Sequence, residues 1–199
     1  MEKYSFFDAQ QSGNGTFDRT YSSEDLAAYF HSFVGNGVYA NPANSLMVQP
    51  SKNLTIKVLK GSAWINGYWY ELSETDKELT LSRGDNSLPR IDLIVCSLNL
   101  SKRLIELKVI QGTAAANPTV PTYQRSQDVY DLVLARIQVP AGMTDVTADL
   151  ITDTRFDKSL CGVVSGVVNQ IDTTDLFKQY DAQFTKWFSE TKGSLSGDV

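Results

Sequence analysis

Histidine and cysteine, the side chains best suited to nucleophilic and general-base catalysis near neutral pH, are scarce in this chain. His31 is the single histidine, and Cys96 and Cys161 are the two cysteines. A Ser-His-Asp or Cys-His site would have to use His31, but this residue lies beside a predicted apolar helix face, which favours a structural or surface role. Cys96 falls in a strand pattern, where we expect a buried free thiol. The sequence predicts no catalytic residue and no enzyme activity.

Pairs of carboxylates raise the question of glycoside hydrolysis. Asp149 and Asp153, or Glu71 and Glu74, could supply the two acids of such an enzyme. Carboxylates near turns are far more often solvated or act as caps, so we favour that interpretation. Two cysteines and one histidine cannot assemble a zinc site of usual composition. We therefore expect no metal and no cofactor.

Aromatic residues on both sides of Asn66-Gly67 could bind sugar rings or a protein partner. Asn-Gly between two short apolar runs predicts a tight β-hairpin. Alternate residues of a strand share a face, so some of these rings must point outward unless a second layer covers them. Since Tyr and Trp are enriched at protein interfaces, we favour core packing on one face and a subunit contact on the other over a sugar site. The candidates for partner or glycan contact are Trp64, Tyr68, Trp69 and Tyr70.

The charge balance argues against a nucleic-acid partner. Twenty-three acidic residues against 18 basic ones give a formal net charge of −5, and no basic patch is present. No apolar run is long enough to span a bilayer. The N-terminus lacks the basic segment followed by an apolar segment that is typical of a secretory signal. We therefore expect synthesis in a cytoplasm, where the chain is kept or from which it is released by lysis, with no signal peptide and no membrane insertion.

A long β-hairpin is predicted at the centre of the fold. Its arms are residues 91–98 (IDLIVCSL) and 104–110 (LIELKVI), and residues 99–103 form the reversal. The first arm is the more continuously apolar, as in a strand covered on both faces. Asp92 interrupts that arm and must find a partner if it is buried. Arg90, Arg103 and Arg136 are the candidate partners.

Short strands separated by turns predict a mainly β domain, an antiparallel β-sandwich or barrel. This domain spans residues 23–165 and begins with a short helix, capped by residues 22–25, in which Leu26, Tyr29, Phe30 and Phe33 form one apolar stripe. Residues 1–22 form an N-terminal arm. Its aromatic residues Tyr4, Phe6 and Phe7 are predicted to dock on the main domain or on a neighbouring subunit.

The C-terminal segment, residues 166–199, has a helical pattern instead of the strand pattern of the preceding domain. Asp172 and its neighbours cap a predicted amphipathic helix that runs to about Lys192, and a linker-like stretch follows. The aromatic spacing of three, four and three fits the start of a coiled coil, or a helix folded back on its own sheet. The candidate oligomerisation residues are Phe177, Tyr180, Phe184 and Trp187.

Several segments together carry a resemblance to a family. They are residues 61–68 (GSAWINGY), 89–95 (PRIDLIV), Gly112 with Pro118 and Pro121, 134–137 (LARI), 151–155 (ITDTR), 161–164 (CGVV) and 180–188 (YDAQFTKWF). From about residue 24 onward the chain resembles the baseplate-attachment region of tail and baseplate proteins of phages and prophages of Gram-positive bacteria.

The resemblance implies a structural virion protein that attaches a host-recognition fibre or receptor-binding element to the tail tip. It implies a homotrimer, no catalytic residues, and other tail or baseplate proteins and a receptor-binding protein as partners. The expected location is the virion. The alternative is a carbohydrate-binding module in which the hairpin aromatics bind host surface polysaccharide directly.

Overall fold

The computed structural model describes residues 6–166 and 181–188, and the chain divides into two compact units, residues 1–166 and 167–199. The described strands all belong to the first unit and form three antiparallel sheets. The expected mainly β, antiparallel class is confirmed. Within the described residues the sheets stay separate, and none of them closes into a barrel.

The helices and strands follow in this order. The first unit contains α1 (Ser23–His31), β1 (Gly37–Val38), β2 (Val48–Pro50), β3 (Thr55–Val58), β4 (Gly61–Ile65), β5 (Tyr68–Leu72), β6 (Lys77–Thr80), β7 (Arg90–Asn99), β8 (Leu104–Ile110), β9 (Val129–Val139), a 3-10 turn (Ala148–Leu150) and β10 (Ile151–Asp153). In the second unit, residues 181–188 form helix α2.

The largest sheet, in the order β10-β9-β7-β8, is built around the predicted central hairpin. The structure confirms its two arms, with β7 one residue longer at each end than expected. β7 pairs with β8 from Leu93 opposite Ile110 to Asn99 opposite Leu104, and with β9 on its other side. The two smaller sheets have the orders β1-β4-β5 and β2-β3-β6.

β7 is covered on both faces, as its apolar sequence predicted. Ile94 and Cys96 belong to the main core, which also takes in residues of both three-stranded sheets. Leu93 and Val95 pack on the opposite face in a smaller cluster with Leu160. Both faces are apolar because side chains alternate across a strand and neither side of this strand meets water.

Asp92 is paired, as a buried carboxylate in an apolar strand requires. Arg90 is its partner among the three candidate arginines, with Nε 2.9 Å from Oδ1 of Asp92. The N–H of Gly112 donates to the same oxygen at 2.9 Å, and Arg90 also donates to the carbonyls of Ser82 and Arg83. This ion pair ties the segments before β7 and after β8 to the sheet.

The hairpin of β4 and β5 confirms the Asn-Gly prediction. Asn66 and Gly67 both have positive φ, 49° and 88°, as the two-residue turn between twisted strands requires. The Asn36 side chain holds this turn by accepting from the Asn66 N–H at 2.7 Å and donating to the Asn66 side-chain oxygen at 2.8 Å. The loop after α1 is thereby fixed to the hairpin.

The predicted first helix is present, but its apolar stripe is not buried. Ser22 caps α1 through a reciprocal capping box with Asp25. Ala27 is the buried residue of the helix, whereas Leu26, Tyr29 and Phe30 are exposed. The rings of this stripe contact one another and other aromatic rings at the surface.

Candidate functional site

Six aromatic rings of the N-terminal arm, α1, the following loop and β4 form one surface cluster, which we call the arm–helix cluster. Each successive pair is in edge-to-face contact, with ring centroids between 5.1 Å for Phe6–Tyr29 and 6.0 Å for Phe30–Trp64. This is the favoured geometry for aromatic pairs. Its members are Phe6, Tyr21, Tyr29, Phe30, Phe33 and Trp64.

The arm is held to this cluster by backbone hydrogen bonds as well as by rings. The Tyr21 hydroxyl accepts from the Phe7 N–H at 2.8 Å and donates to the Phe7 carbonyl at 3.2 Å. The Arg19 guanidinium lies over the Phe7 ring, 5.8 Å from its centroid. Phe6 contacts Tyr29 of the main domain, which is one of the two predicted docking modes, whereas the contacts described for Phe7 are with Arg19 and Tyr21 of the arm itself. Tyr4 falls outside the described residues.

The cluster keeps much of its apolar surface in contact with water. Phe6 is 44% exposed and Tyr29 is 49% exposed. Leu26 and Phe7, next to them in the chain, are exposed too. Since monomeric proteins seldom display large contiguous apolar patches, the cluster is a candidate interaction surface.

The four candidate aromatics of the β4–β5 hairpin do not form a single site. Trp64 belongs to the arm–helix cluster through Phe30. Trp69 lies opposite Trp64 in the hairpin register and is mostly exposed. Tyr68 and Tyr70, alternate residues of β5, are partly buried and pack against the main core. The side chains thus divide between two surfaces of the first unit.

A groove lies between β5, the start of α1 and the β7–β8 turn, and we call it the β5–β8 groove. Its volume is about 640 Å³, and a neighbouring hollow of about 510 Å³ shares Glu24, Tyr68 and Leu100 with it. The larger part is lined by Ser23, Glu24, Tyr68, Trp69, Tyr70, Glu71, Leu98, Asn99, Leu100, Arg103, Leu104 and Ile105. Both volumes fall in the range of sites that hold small ligands.

Hydrogen-bonding groups stand beside the tyrosines of this groove. Within the part of the chain that the structure describes, the side chains of Glu24, Glu71 and Arg103 make no hydrogen bond or ion pair. Burial, and to a smaller extent the neighbouring Cys96, raise the pKa of Tyr70 to about 12. The Tyr70 hydroxyl therefore keeps its proton and can both donate and accept.

The structure places three of the groups weighed for catalysis as follows. His31 lines the smaller hollow with Asp128, and Glu71 lines the larger one. Asp153 pairs with Arg155 at 2.7 Å. No group of three or more metal-ligating side chains occurs among residues 6–166 and 181–188.

Both cysteines are buried free thiols, which for Cys96 confirms the expectation from its strand pattern. Burial raises the pKa of Cys161 to about 12 and that of Cys96 well above its usual range. Since the thiolate is the nucleophilic form, neither sulfur is suited to attack a substrate.

Helix α2 carries three exposed aromatic side chains at helical spacing. Phe184 and Trp187 are 62% and 58% exposed, and Phe188 is similar. Their rings contact each other within the helix, with centroids 5.9 Å apart for Phe184–Trp187 and 6.2 Å for Phe184–Phe188. Residues at i, i+3 and i+4 share one helix face. Phe177 and Tyr180, the other two candidates, lie outside the described residues.

Sequence reasoning misses the polar half of the β5–β8 groove. The sequence predicts Glu24 as a helix-capping residue, and Arg103 as part of a turn and a candidate partner of Asp92. Arg103 has a φ of 53°, an uncommon conformation for a residue with a side chain. No sequence signal brings these two residues to the same groove, because their proximity depends on how α1 crosses the hairpin.

Comparisons with protein-family models, with curated proteins and with solved structures find no match to this chain. None of the described helices has the length and apolar character needed to cross a lipid bilayer.

Proposed function

We propose that this chain is a structural protein of a phage tail or baseplate, which attaches a host-recognition element to the tail tip. The observation that carries the proposal is the arm–helix cluster, a contiguous set of rings of which Phe6, Tyr21, Tyr29 and Phe30 are exposed within the described part of the chain. The family resemblance of the sequence segments supports the same function. The expected location of the protein is the virion.

The arm–helix cluster is suited to a permanent contact with another tail or baseplate protein. Burying exposed aromatic surface is favourable in proportion to the apolar area removed from water. Tyr and Phe side chains lose little conformational freedom when they are covered, and such rings are enriched in interface cores. The exposed ring edges of Phe6 and Tyr29 would be covered first.

The exposed face of α2 supports self-association as a homotrimer. Phe184, Trp187 and Phe188 offer three rings on one helix face, and a lone helix in water gains nothing from such a face. Three copies that bury it against one another would fix the copy number and the direction of whatever element is attached. The receptor-binding protein is the partner proposed for that attachment.

We also propose that the three sheets are arranged as a β-sandwich. One core cluster contains buried residues from all three, among them Ile56 of β3, Ile65 of β4 and Ile137 of β9. A shared core between facing sheets is the defining feature of a sandwich. Such a rigid body would hold the arm–helix cluster in a fixed position for docking.

The proposal is tested by locating the chain in particles. Antibodies against the purified protein are expected to label tail tips in electron micrographs of phage from the bacterium that encodes the chain. Tyr29→Asp, which places a charge in the arm–helix cluster, should abolish the label. Phe156→Asp is the control, because Phe156 is also exposed but belongs to no contact of the cluster. Unlabelled wild-type particles would contradict the proposal.

A further inference from the structure

The β5–β8 groove combines aromatic faces with hydrogen-bonding groups that the protein does not use. Tyr68 and Tyr70 line it from one side of β5, and Trp69 contributes from the same strand. Glu24, Glu71 and Arg103 also line the groove. Their side chains have no partner among the described residues, so they remain available to a ligand.

We propose that the β5–β8 groove binds a neutral oligosaccharide. The apolar faces of pyranose rings pack on aromatic side chains, and sugar hydroxyls both donate to carboxylates and accept from a guanidinium. The groove supplies both kinds of contact within one cleft of about 640 Å³. The adjoining hollow of about 510 Å³ extends it, which gives room for more than one ring.

The charge of the groove selects a neutral ligand over an anionic one. Glu24, Glu71 and Asp128 place three carboxylates along its two parts, against the single guanidinium of Arg103. The chain as a whole carries a formal charge of −5. An anionic polysaccharide would be repelled by this arrangement, whereas hydroxyl groups can bridge Arg103 and the carboxylates.

The ligand site and the docking surface use different faces of α1. Glu24, Ala27, Ala28 and His31 line the hollows and occupy one face of α1, at the spacing i, i+3, i+4 and i+7. Tyr29 and Phe30 face the arm instead. Trp64 also belongs to the arm–helix cluster, so the glycan site excludes one of the hairpin aromatics that the sequence offers as glycan contacts.

Two substitutions test the site without threatening the fold. Trp69→Ala removes a ring that is 58% exposed. Arg103→Asn removes the guanidinium but keeps a residue that tolerates positive φ. Phe17→Ala is the matched control, since Phe17 is 59% exposed and does not line the groove. Circular dichroism and the urea midpoint establish that each variant is folded.

The probes are immobilised neutral oligosaccharides built of glucose, galactose, mannose, rhamnose or N-acetylhexosamine, with oligogalacturonate as the anionic counterpart. We expect saturable binding of at least one neutral probe by the full chain. Truncating an aromatic or arginine anchor typically weakens binding about tenfold or more. We therefore expect Trp69→Ala and Arg103→Asn each to weaken sugar binding by about this factor. Phe17→Ala should leave the affinity unchanged.

Three results would overturn the proposal. They are no binding to any neutral probe, binding of oligogalacturonate alone, and binding that neither Trp69→Ala nor Arg103→Asn weakens. The docking variant Tyr29→Asp should bind the sugar as the wild type does, since Tyr29 lies on the other face of α1. A failure of the glycan proposal would therefore leave the attachment proposal intact, and the reverse also holds.

Discussion

Gly67 lies directly against the carbonyl of Ala27, so close that a Cβ atom built on Gly67 would be 1.9 Å from the Ala27 oxygen. Helix α1 therefore packs directly against the turn of the β4–β5 hairpin. Asn36 reinforces the same junction through its two hydrogen bonds to Asn66. One face of α1 contributes to the arm–helix cluster and the other face lines the hollows of the β5–β8 groove. Both surfaces therefore depend on the position of α1.

Gly67→Ala is expected to destabilise the protein and displace α1. The substitution adds the cost of positive φ for a residue with a side chain, about 1–2 kcal/mol, and an overpacking cost of about 1–3 kcal/mol against Ala27. Urea unfolding measures the sum. Gly142→Ala is the matched control, because Gly142 has a φ of 69° and a Cβ atom added to it would meet nothing within 4 Å. Equal losses in the two variants would contradict this packing.

Asp92→Ala is expected to lower the free energy of unfolding by about 3–5 kcal/mol, because it leaves the buried guanidinium of Arg90 without its counter-charge. Asp92 is fully buried and Arg90 is nearly so. The measurement is the urea midpoint and slope. Asp18→Ala breaks the exposed pair with Arg19 and should leave the midpoint nearly unchanged. Similar midpoints for the two variants would rule out a structural role for the buried pair.

Asp153 should make stability depend on pH in the acid range. Burial acts to raise the pKa of this carboxyl, but the hydrogen bonds and charge of Arg155 outweigh it and hold the pKa below its ordinary value of 3.8. Since the folded-state pKa is the lower one, the carboxylate stabilises the fold above pH 3.8 and loses this effect as the pH falls through the folded-state pKa.

The measurement compares urea unfolding of the wild type and Asp153→Asn from about pH 7 down to about pH 2.5. The wild type is expected to be the more stable at neutral pH, and the difference should disappear in acid. A difference that stays constant across this range would show that the Asp153 charge contributes nothing to the fold.

The elements with strong local signals were predictable from the sequence. Asn66-Gly67 specifies its turn by conformation alone, and the apolar run of β7 specifies a strand buried on both faces. The Arg90–Asp92 pair lies within one strand, so it too was among the predicted partners. In each case the decisive residues are neighbours in the chain.

What the sequence could not predict depends on distant contacts. Arg155 donates to the carbonyls of Ala43 and Ser45, more than a hundred residues away. The spacing of Leu26, Tyr29 and Phe30 shows that they share a helix face, but periodicity does not say what covers that face. The β5–β8 groove is missed for the same reason, since Glu24 and Arg103 line one groove only when α1 packs against Gly67.

Phe184→Asp combined with Trp187→Asp is expected to reduce the protein to single chains while the β-sheet signal in circular dichroism persists. Both rings are exposed on one face of α2, and a charge on that face opposes its burial between copies. Light scattering after size exclusion gives the mass. Phe156→Asp, an exposed ring of the first unit, should leave the mass unchanged. Loss of the strand signal in the double variant would contradict a purely assembling role for α2.

The solution mass of the wild-type chain tests the assembly account most directly. Light scattering after size exclusion is expected to give three times the chain mass of 22.1 kDa, because the exposed face of α2 is proposed to be buried between three copies. A mass of 22.1 kDa that persists as the protein concentration is raised would contradict the homotrimer.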